Sequence, residues 1–357
     1  MWAEWMRSFN KQYSSPAIAE QRFAYFVANL KLADERNQQE IDKGGNAVHG
    51  ITKFFDQDAE EFRKYFLGSK SGKAPTDANT TALTEMRKVA PPTGKPVEDG
   101  AFVNWAGVLT TPVKDQGYCG SCWAFSATEQ IESDSMRTLK TDFILSPEQI
   151  TQCAPIAQGC GGGWTEVAYG YVKKAGGIET DAAYPYTSYL GVTGECHVEK
   201  SQEVVTVNSF TTVSGETDMA NYVLSTGPLS VCLDANNWST YTGGIMTVCG
   251  QQVDHCVQAV GVDTSSTGGY WIVRNSWGTS WVSLRAAHGG KGFSHSFFNA
   301  FNKLLLTSLL FLSPHSSRHT GRGWVHLPSI WAEHVRHHQR SHMDYRRTRQ
   351  LGSSRFA

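Results

Sequence analysis

Net charge is almost absent from this chain: 32 Lys and Arg face 33 Asp and Glu over 357 residues, a balance of −1. A chain built throughout to hold nucleic acid would be strongly basic, so no nucleic-acid partner is expected; binding of nucleic acid or a membrane through a basic tail is a third, weaker reading. Long apolar runs are missing too. The best stretch, 297–312, is interrupted by Asn299, Asn302 and Lys303 and is shorter than the ~20 residues of a membrane span, so no span is expected. The start lacks a basic segment followed by an apolar one, since Met1 leads into Trp2, Glu4 and Trp5. A secretory-pathway reading therefore presumes an upstream segment not present in this sequence.

The near-zero total hides an asymmetry. Residues 282–357 hold nine Arg and two Lys against Glu333 and Asp344, carry nine of the 12 histidines and contain no cysteine. The remainder is acidic, and with 40% hydrophobic residues it can bury two or three cores. His334, His337 and His338 have helical spacing, yet no cysteine or clear carboxylate partner accompanies them. No metal and no organic cofactor is expected. The arginines from Arg336 to Arg349 could meet acidic partners, but a solvated, disordered tail is the default reading.

The chemistry-bearing stretch is Pro112-Val-Lys-Asp-Gln116-Gly-Tyr-Cys119-Gly-Ser-Cys122-Trp-Ala-Phe125. Gly117 and Gly120 allow a tight loop, and Ala124, Ala127, Ile131 and Leu139 follow at helical spacing, which puts Cys122 at a helix N-terminus. Unsatisfied N–H groups there favour a thiolate, lowering a thiol pKa that is ~8.5 for free cysteine. A thiolate nucleophile needs a proton carrier. His255 lies in Val253-Asp-His-Cys-Val-Gln-Ala-Val260, and Asn275 in Arg274-Asn-Ser-Trp-Gly278, completing a nucleophile, base and orienter set.

On these residues the chain resembles the papain-like cysteine peptidases, whose local signature and downstream His and Asn are a known pattern. The resemblance implies Cys122 as nucleophile, His255 as its imidazolium partner and Asn275 as orienter of the ring. Trp277 would shield that hydrogen bond at the edge of the substrate cleft, and Gln116 would join the Cys122 N–H in an oxyanion hole. It also implies disulfides Cys119 with Cys160 and Cys153 with Cys196. Cys232 and Cys256 would lie beside the substrate cleft on paired strands, where a third bridge is expected. Cys249 is left odd. In the run Gly159-Cys160-Gly161-Gly162-Gly163-Trp164, Gly162 and Gly163 permit close backbone approach; Gly163 would pair with an extended substrate and Trp164 would wall a side-chain pocket. Such disulfides suit an oxidising compartment, so a lysosome, vacuole or secreted location is expected.

Upstream, Trp5, Phe9 and Tyr13 fall on one helical stripe, and residues 17–43 continue in helix with Phe23, Val27 and Leu30 as its apolar face. Arg22, Phe26, Asn29 and Asn37, then Gly50, Phe54 and Asp56, resemble the prodomain motifs of cathepsin L-like zymogens. Ile18, Ala33 and Thr52 depart from them. Four segments follow: an inhibitory helical prodomain at 1–68, an activation linker at 69–99, a peptidase domain at 100–281 and an atypical tail at 282–357. The fold class expected is α+β, a two-domain papain-like fold in which a helical half faces an antiparallel β-barrel half across a cleft, behind a helical prodomain. Strands are expected at Val204–Val207, Leu229–Leu233, Cys256–Val262 and Tyr270–Val273.

After Trp281 the resemblance stops, and the closing strands of the second half are expected to be missing. The function implied is a monomeric cysteine endopeptidase zymogen, acting on protein or peptide substrates through a thioester on Cys122, with its own prodomain as intramolecular inhibitor. The alternative is a catalytically incompetent homologue that works as an inhibitor or decoy through its prodomain, or the product of a faulty gene model.

Overall fold

The computed structural model describes residues 1–70, 87–90, 92–266, 268–281, 324–328 and 341–346. The prodomain opens with α1 (Trp2–Ser8) and the long α2 (Pro16–Asp42). Ser15 caps α2 by accepting from Ile18 N, and Pro16 suits the first turn because its missing N–H would have no helical partner. A two-residue strand, β1 (Val48–His49), and α3 (Ala59–Phe66) complete it; Asp58 and Glu61 form a capping box on α3.

Two sequence expectations change here. Helix α1 ends at Ser8, so Tyr13 lies beyond it, stacking on Trp2 and donating to Asp56 at 3.0 Å. The expected face of α2 is mostly outward, with Phe23 44% and Val27 38% exposed. Phe26 and Ala33 are buried instead, against Trp5 and Phe55. The small Ala33 suits this close packing. Polar side chains then lock the loop after β1 onto α2. Arg22 reaches Asp56 O and Glu61, Asn29 donates to the carbonyls of Phe55 and Gln57, and Asn37 pairs both ways with the His49 backbone.

The helical half is built from α4 (Cys122–Leu139), α5 (Pro147–Cys153) and α6 (Thr165–Ala175). Ser146 caps α5 and Pro147 opens it, as its sequence indicates. Trp123, Ile131, Ile150, Tyr169 and Val172 fill the core between these helices. Cys119–Cys160 and Cys153–Cys196 are both bridged.

The other half is a mixed but chiefly antiparallel sheet. It comprises β2 (Arg87–Val89), β3 (Phe102–Asn104), β4 (Ile178–Glu179), β5 (Glu203–Thr212), β6 (Leu229–Leu233), β8 (His255–Asp263) and β9 (Tyr270–Arg274), joined by β10 (Trp324–Pro328) and β11 (Ser341–Arg346). The order is β10-β9-β8-β6-β11-β5-β2, with β3 on β8 and β4 on β5; only β2 runs parallel to its neighbour. Helix α7 (Glu216–Ser225) packs on it, while β7 (Tyr241–Gly243) pairs with β1 of the prodomain.

The tail differs from its expectation in part. The closing strands were expected to be missing and the tail disordered, yet β10 pairs antiparallel with β9 and β11 with β5. A strand edge offers unpaired backbone groups, and backbone hydrogen bonding depends little on side-chain identity, so family pattern is not needed to fill it; Pro328, which has no N–H to donate, stands at the end of β10. The 297–312 run, His334, His337, His338 and Arg336 lie outside the described residues. Likewise, the linker is not wholly free, because Arg87–Val89 pairs with β5.

Asp56 is buried and bound by Lys11 Nζ at 2.8 Å and by Tyr13. Asp56→Ala should lower zymogen stability by about 3 kcal/mol, because Lys11 loses its partner in a poorly hydrated site. Urea unfolding of the zymogen followed through the prodomain tryptophans measures this; an unchanged midpoint contradicts it.

Candidate active site

Cys122 is the first residue of α4 and is fully buried. The loop before it is held in place by the Cys119–Cys160 bridge and by the turn at Gly117, φ +60°, where a Cβ would meet Tyr189 O at 2.3 Å. Gln116 N donates to Ser276 O and Gly278 N to Lys114 O, both at 2.8 Å. These bonds stitch the loop of the helical half to the segment after β9.

His255 opens β8, on the opposite half. Its Nε2 lies 2.8 Å from Asn275 Oδ1, and among the described residues its Nδ1 has no hydrogen-bond partner. The Trp277 ring packs on the imidazole at 4.8 Å between centroids and shields that bond from water. Burial holds the His255 pKa down to about 4, with the Asn275 bond opposing it. Burial likewise pushes Cys122 up to about 12, although the amides of Cys256, Gly68 and Trp123 pull the other way. The lowered thiol pKa expected from the helix start is therefore not the state of this form. Desolvation of the charged form outweighs the helix N-terminus when no water reaches the sulfur.

The cause of that burial is the prodomain. After α3 the chain runs through the cleft as a strap. Gly68 O accepts from Gly163 N and Lys70 N donates to Gly163 O, both at 2.9 Å, while Ser69 N donates to Asp254 O at 2.9 Å. The strap thus bridges both halves, continuing past the expected prodomain end at Gly68. A Cβ on Gly68 would sit 1.8 Å from Gly120 O, so only glycine passes there. Gly162, at φ +104°, is equally constrained, because a Cβ would meet Gly68 O at 2.4 Å. Gly163 has a second reason to be glycine: a Cβ would meet the Trp123 ring at 2.6 Å.

Gln116 is buried, with Nε2 on Phe66 O at 3.2 Å and Cys119 O at 2.9 Å. Its orientation comes from Ser276 Oγ, which donates to Gln116 Oε1 at 2.7 Å and so turns the amide nitrogen toward the cleft. Sequence reading missed Ser276, although it sits inside the Asn275-Ser-Trp277 run. It also missed Gly68 and Asp254, for which no local pattern signals a role. Burial pushes the Asp254 carboxyl up to about 7, against hydrogen bonds from Ala235 N and Asn236. Cys232 and Cys256 form the third bridge, and half-buried Trp164 packs against the same cluster. Cys249 is free. Among the described residues no group of His, Cys, Asp or Glu could hold a metal ion, and no helix is long and apolar enough to cross a membrane.

A thiol and an imidazole from two halves, an amide aimed beside them, and an extended strap that fills the space between them are a zymogen's parts. Residues 101–287 match the model of the papain family cysteine proteases, and residues 2–62 that of the cathepsin propeptide inhibitor domain. The chain belongs to the papain family of cysteine proteases. Cysteine proteinase 1 of Dictyostelium discoideum is 33% identical over 297 residues, 78% of this chain and 84% of that protein. The probable cysteine protease RD19C of Arabidopsis thaliana is 35% identical over 295 residues, 76% and 75% of the two chains. Digestive procathepsin L 3 of Tenebrio molitor larval midgut superposes with a TM-score of 0.73 at 25% identity, covering 96% of this chain and 97% of that one. The protein is thus a papain-family hydrolase with its propeptide attached, in the procathepsin fold.

At pH 7, iodoacetamide should modify Cys122 in the zymogen at least roughly a hundredfold more slowly than a free cysteine, since little thiolate is present. Gly68→Ala should lift the strap and speed that labelling. The mass of the Cys122 peptide over time reports both, and equal rates would count against the strap's shielding.

Proposed function

We propose that the protein is a cysteine endopeptidase zymogen whose Cys122, His255, Asn275 and Gln116 carry out peptide-bond hydrolysis once the prodomain leaves. The observation that carries this is the 2.8 Å contact from His255 Nε2 to Asn275, with the ring's other nitrogen buried and without a partner among the described residues. Water entering the opened cleft removes the desolvation that keeps both groups neutral, and the proton passes from Cys122 to His255. The thiolate attacks the scissile carbonyl carbon, and the oxyanion is held by Gln116 Nε2 and the Cys122 N–H. His255 gives its proton to the leaving amine. It then takes one from water, whose hydroxide cleaves the thioester and restores the thiol. Gly163 and Trp164, with Cys232 and Cys256, line the subsite for an extended substrate.

The strap resists this chemistry because it offers the sulfur the Gly68 N–H, a nitrogen that no thiolate attacks. Its anchorage is aromatic and polar. Phe54, Phe62 and Phe66 pack on Trp277, with ring centroids 5.1, 5.4 and 6.5 Å away. Arg36 donates to Asn236 O, Asn237 O, Ser239 and Thr240, and Glu40 accepts from Thr247 and Val248. Three disulfides support an oxidising compartment, in the lysosome, vacuole or outside the cell.

Cys122→Ala should abolish turnover of a fluorogenic peptide by the matured enzyme, and Gln116→Ala should cut kcat by about 10²–10³, roughly 3 kcal/mol of barrier. Matured wild type with no turnover would leave the decoy role in its place. Activation should also follow acid. His49 Nδ1 lies 2.9 Å from Thr240 Oγ1, which already accepts from Arg36 at 2.8 Å, so the Thr240 proton points at an unprotonated His49. Burial first, then Arg36, depresses His49 from 6.5 to about 4. Docking is therefore at full strength above pH 6.5 and weakens as pH falls toward 4, where the free prodomain binds the extra proton and the docked one does not. His49→Gln should flatten the pH profile of prodomain release; an unaltered profile would discount this histidine.

A further inference from the structure

Cys232 and Cys256 oppose each other on antiparallel β6 and β8, with Cα atoms 4.0 Å apart. The face of β8 that carries Cys256 also carries Gln258, whose Nε2 donates to Glu129 O at 3.0 Å and Ser133 Oγ at 2.8 Å. That face looks onto α4. On β6 the matching position is Ser230, whose hydroxyl meets Ser126 at 2.7 Å. Ser126 follows Cys122 by one helical turn, and the bridge follows the Ser230–Gln258 pair by one step toward the start of the helix. The bridge therefore faces the first turn of α4. The Cys256 amide reaches the Cys122 sulfur, and Cys122, Cys232 and Cys256 share one buried cluster.

Hydrolysis uses Cys122 alone and gives the bridge no chemical role. A thiolate beside a disulfide is, however, the reactant pair of thiol–disulfide exchange. We propose that Cys256 is an exchange partner for Cys122 in the matured enzyme, giving the active-site thiol a reversible disulfide form. The inference rests on the catalytic reading only in taking Cys122 as the thiolate. Cys122 Sγ attacks Cys256 Sγ; the Cys122–Cys256 bond forms as the Cys232–Cys256 bond breaks, and Cys232 leaves as a thiolate that takes up a proton. No oxidant or reductant is consumed. Cys232 is the more exposed residue of the bridge, at 7% against 1%, which favours it as the leaving group. A small external thiol reverses the step by attacking Cys256 and freeing Cys122, after which Cys232 displaces it and the first bridge returns. In the zymogen the reaction is silent, because the strap keeps Cys122 a buried thiol. Cys249 packs against the other core cluster and is outside the relay.

The test is peptide mapping of the matured enzyme, held without oxygen or small thiols, then acid-quenched, alkylated and digested without reduction. A Cys122–Cys256 linked peptide, with Cys232 alkylated, should grow as turnover falls, in one-to-one proportion. A small thiol should reverse both, and the zymogen should show neither. The double variant Cys232→Ser with Cys256→Ser, whatever turnover it starts from, should show no time-dependent decline through the same incubation. If that variant does not fold, the wild-type map alone decides. A map in which Cys232–Cys256 stays the sole linkage of these residues overturns the proposal. Freshly thiol-treated enzyme that does not hydrolyse peptide would instead overturn the catalytic reading, and the map would still report on exchange.

Discussion

The Cys122 thiol and the His255 imidazole come from different halves, which are held in one register because α4 is fastened to β8. The fastening is polar. Ser126 Oγ donates to Val257 O, Gln258 reaches the α4 backbone, and Arg274 binds Pro112 O at 2.6 Å and Thr111 at 3.0 Å while lying 3.6 Å from Glu129. A hydrophobic seam could slide by a residue, but a buried network leaves polar groups unsatisfied if it slides. The same seam carries Cys122 at one end of the helix and His255 at the start of the strand. Burial pushes the Glu129 carboxyl up to about 7, with Arg274 and Lys114 opposing, so even this charge depends on its partners staying in place.

Solvent access decides the protonation of the site. The helix start and the Asn275 bond both favour the charged thiolate and imidazolium, yet burial overrides them while the strap is seated. In the proposed mechanism one geometry serves both as a stored and as a reactive form, with water supplying the change. Trp277 links the two states. It shields the His255–Asn275 bond on one side and receives the prodomain phenylalanines on the other, within a buried group that includes Trp238 and Trp281. Losing the prodomain uncovers this aromatic surface at the same time as the thiol.

The end of the chain follows different logic. The match to the peptidase family stops at residue 287, while β10 and β11 come from beyond it. Backbone pairing on β9 and β5 makes few demands on side chains, whereas a catalytic loop requires particular side chains at particular distances. This contrast explains why a departure from the family pattern can be severe in the tail and absent around Cys122.

Much of the site was legible because its chemistry is local. Cys122 at a helix start, Asn275 beside Trp277 and the pairing of Cys119 with Cys160 follow from residue types in short runs or from family likeness, as do the bounds of β6. The apolar face of α2 was not legible, since Phe23 and Val27 satisfy the same periodicity as Phe26 and only the neighbouring Phe55 distinguishes them. Nor was the role of Ser276, Gly68 or Asp254, whose partners lie far away in the chain. By itself the sequence determined which thiol, imidazole and amide groups are candidates for chemistry and the secondary structure that presents them. Tertiary structure alone decided their ionisation, because a pKa depends on water access and neighbours brought together from distant segments. It also decided which glycines are required, because close approach is a property of two backbones at once.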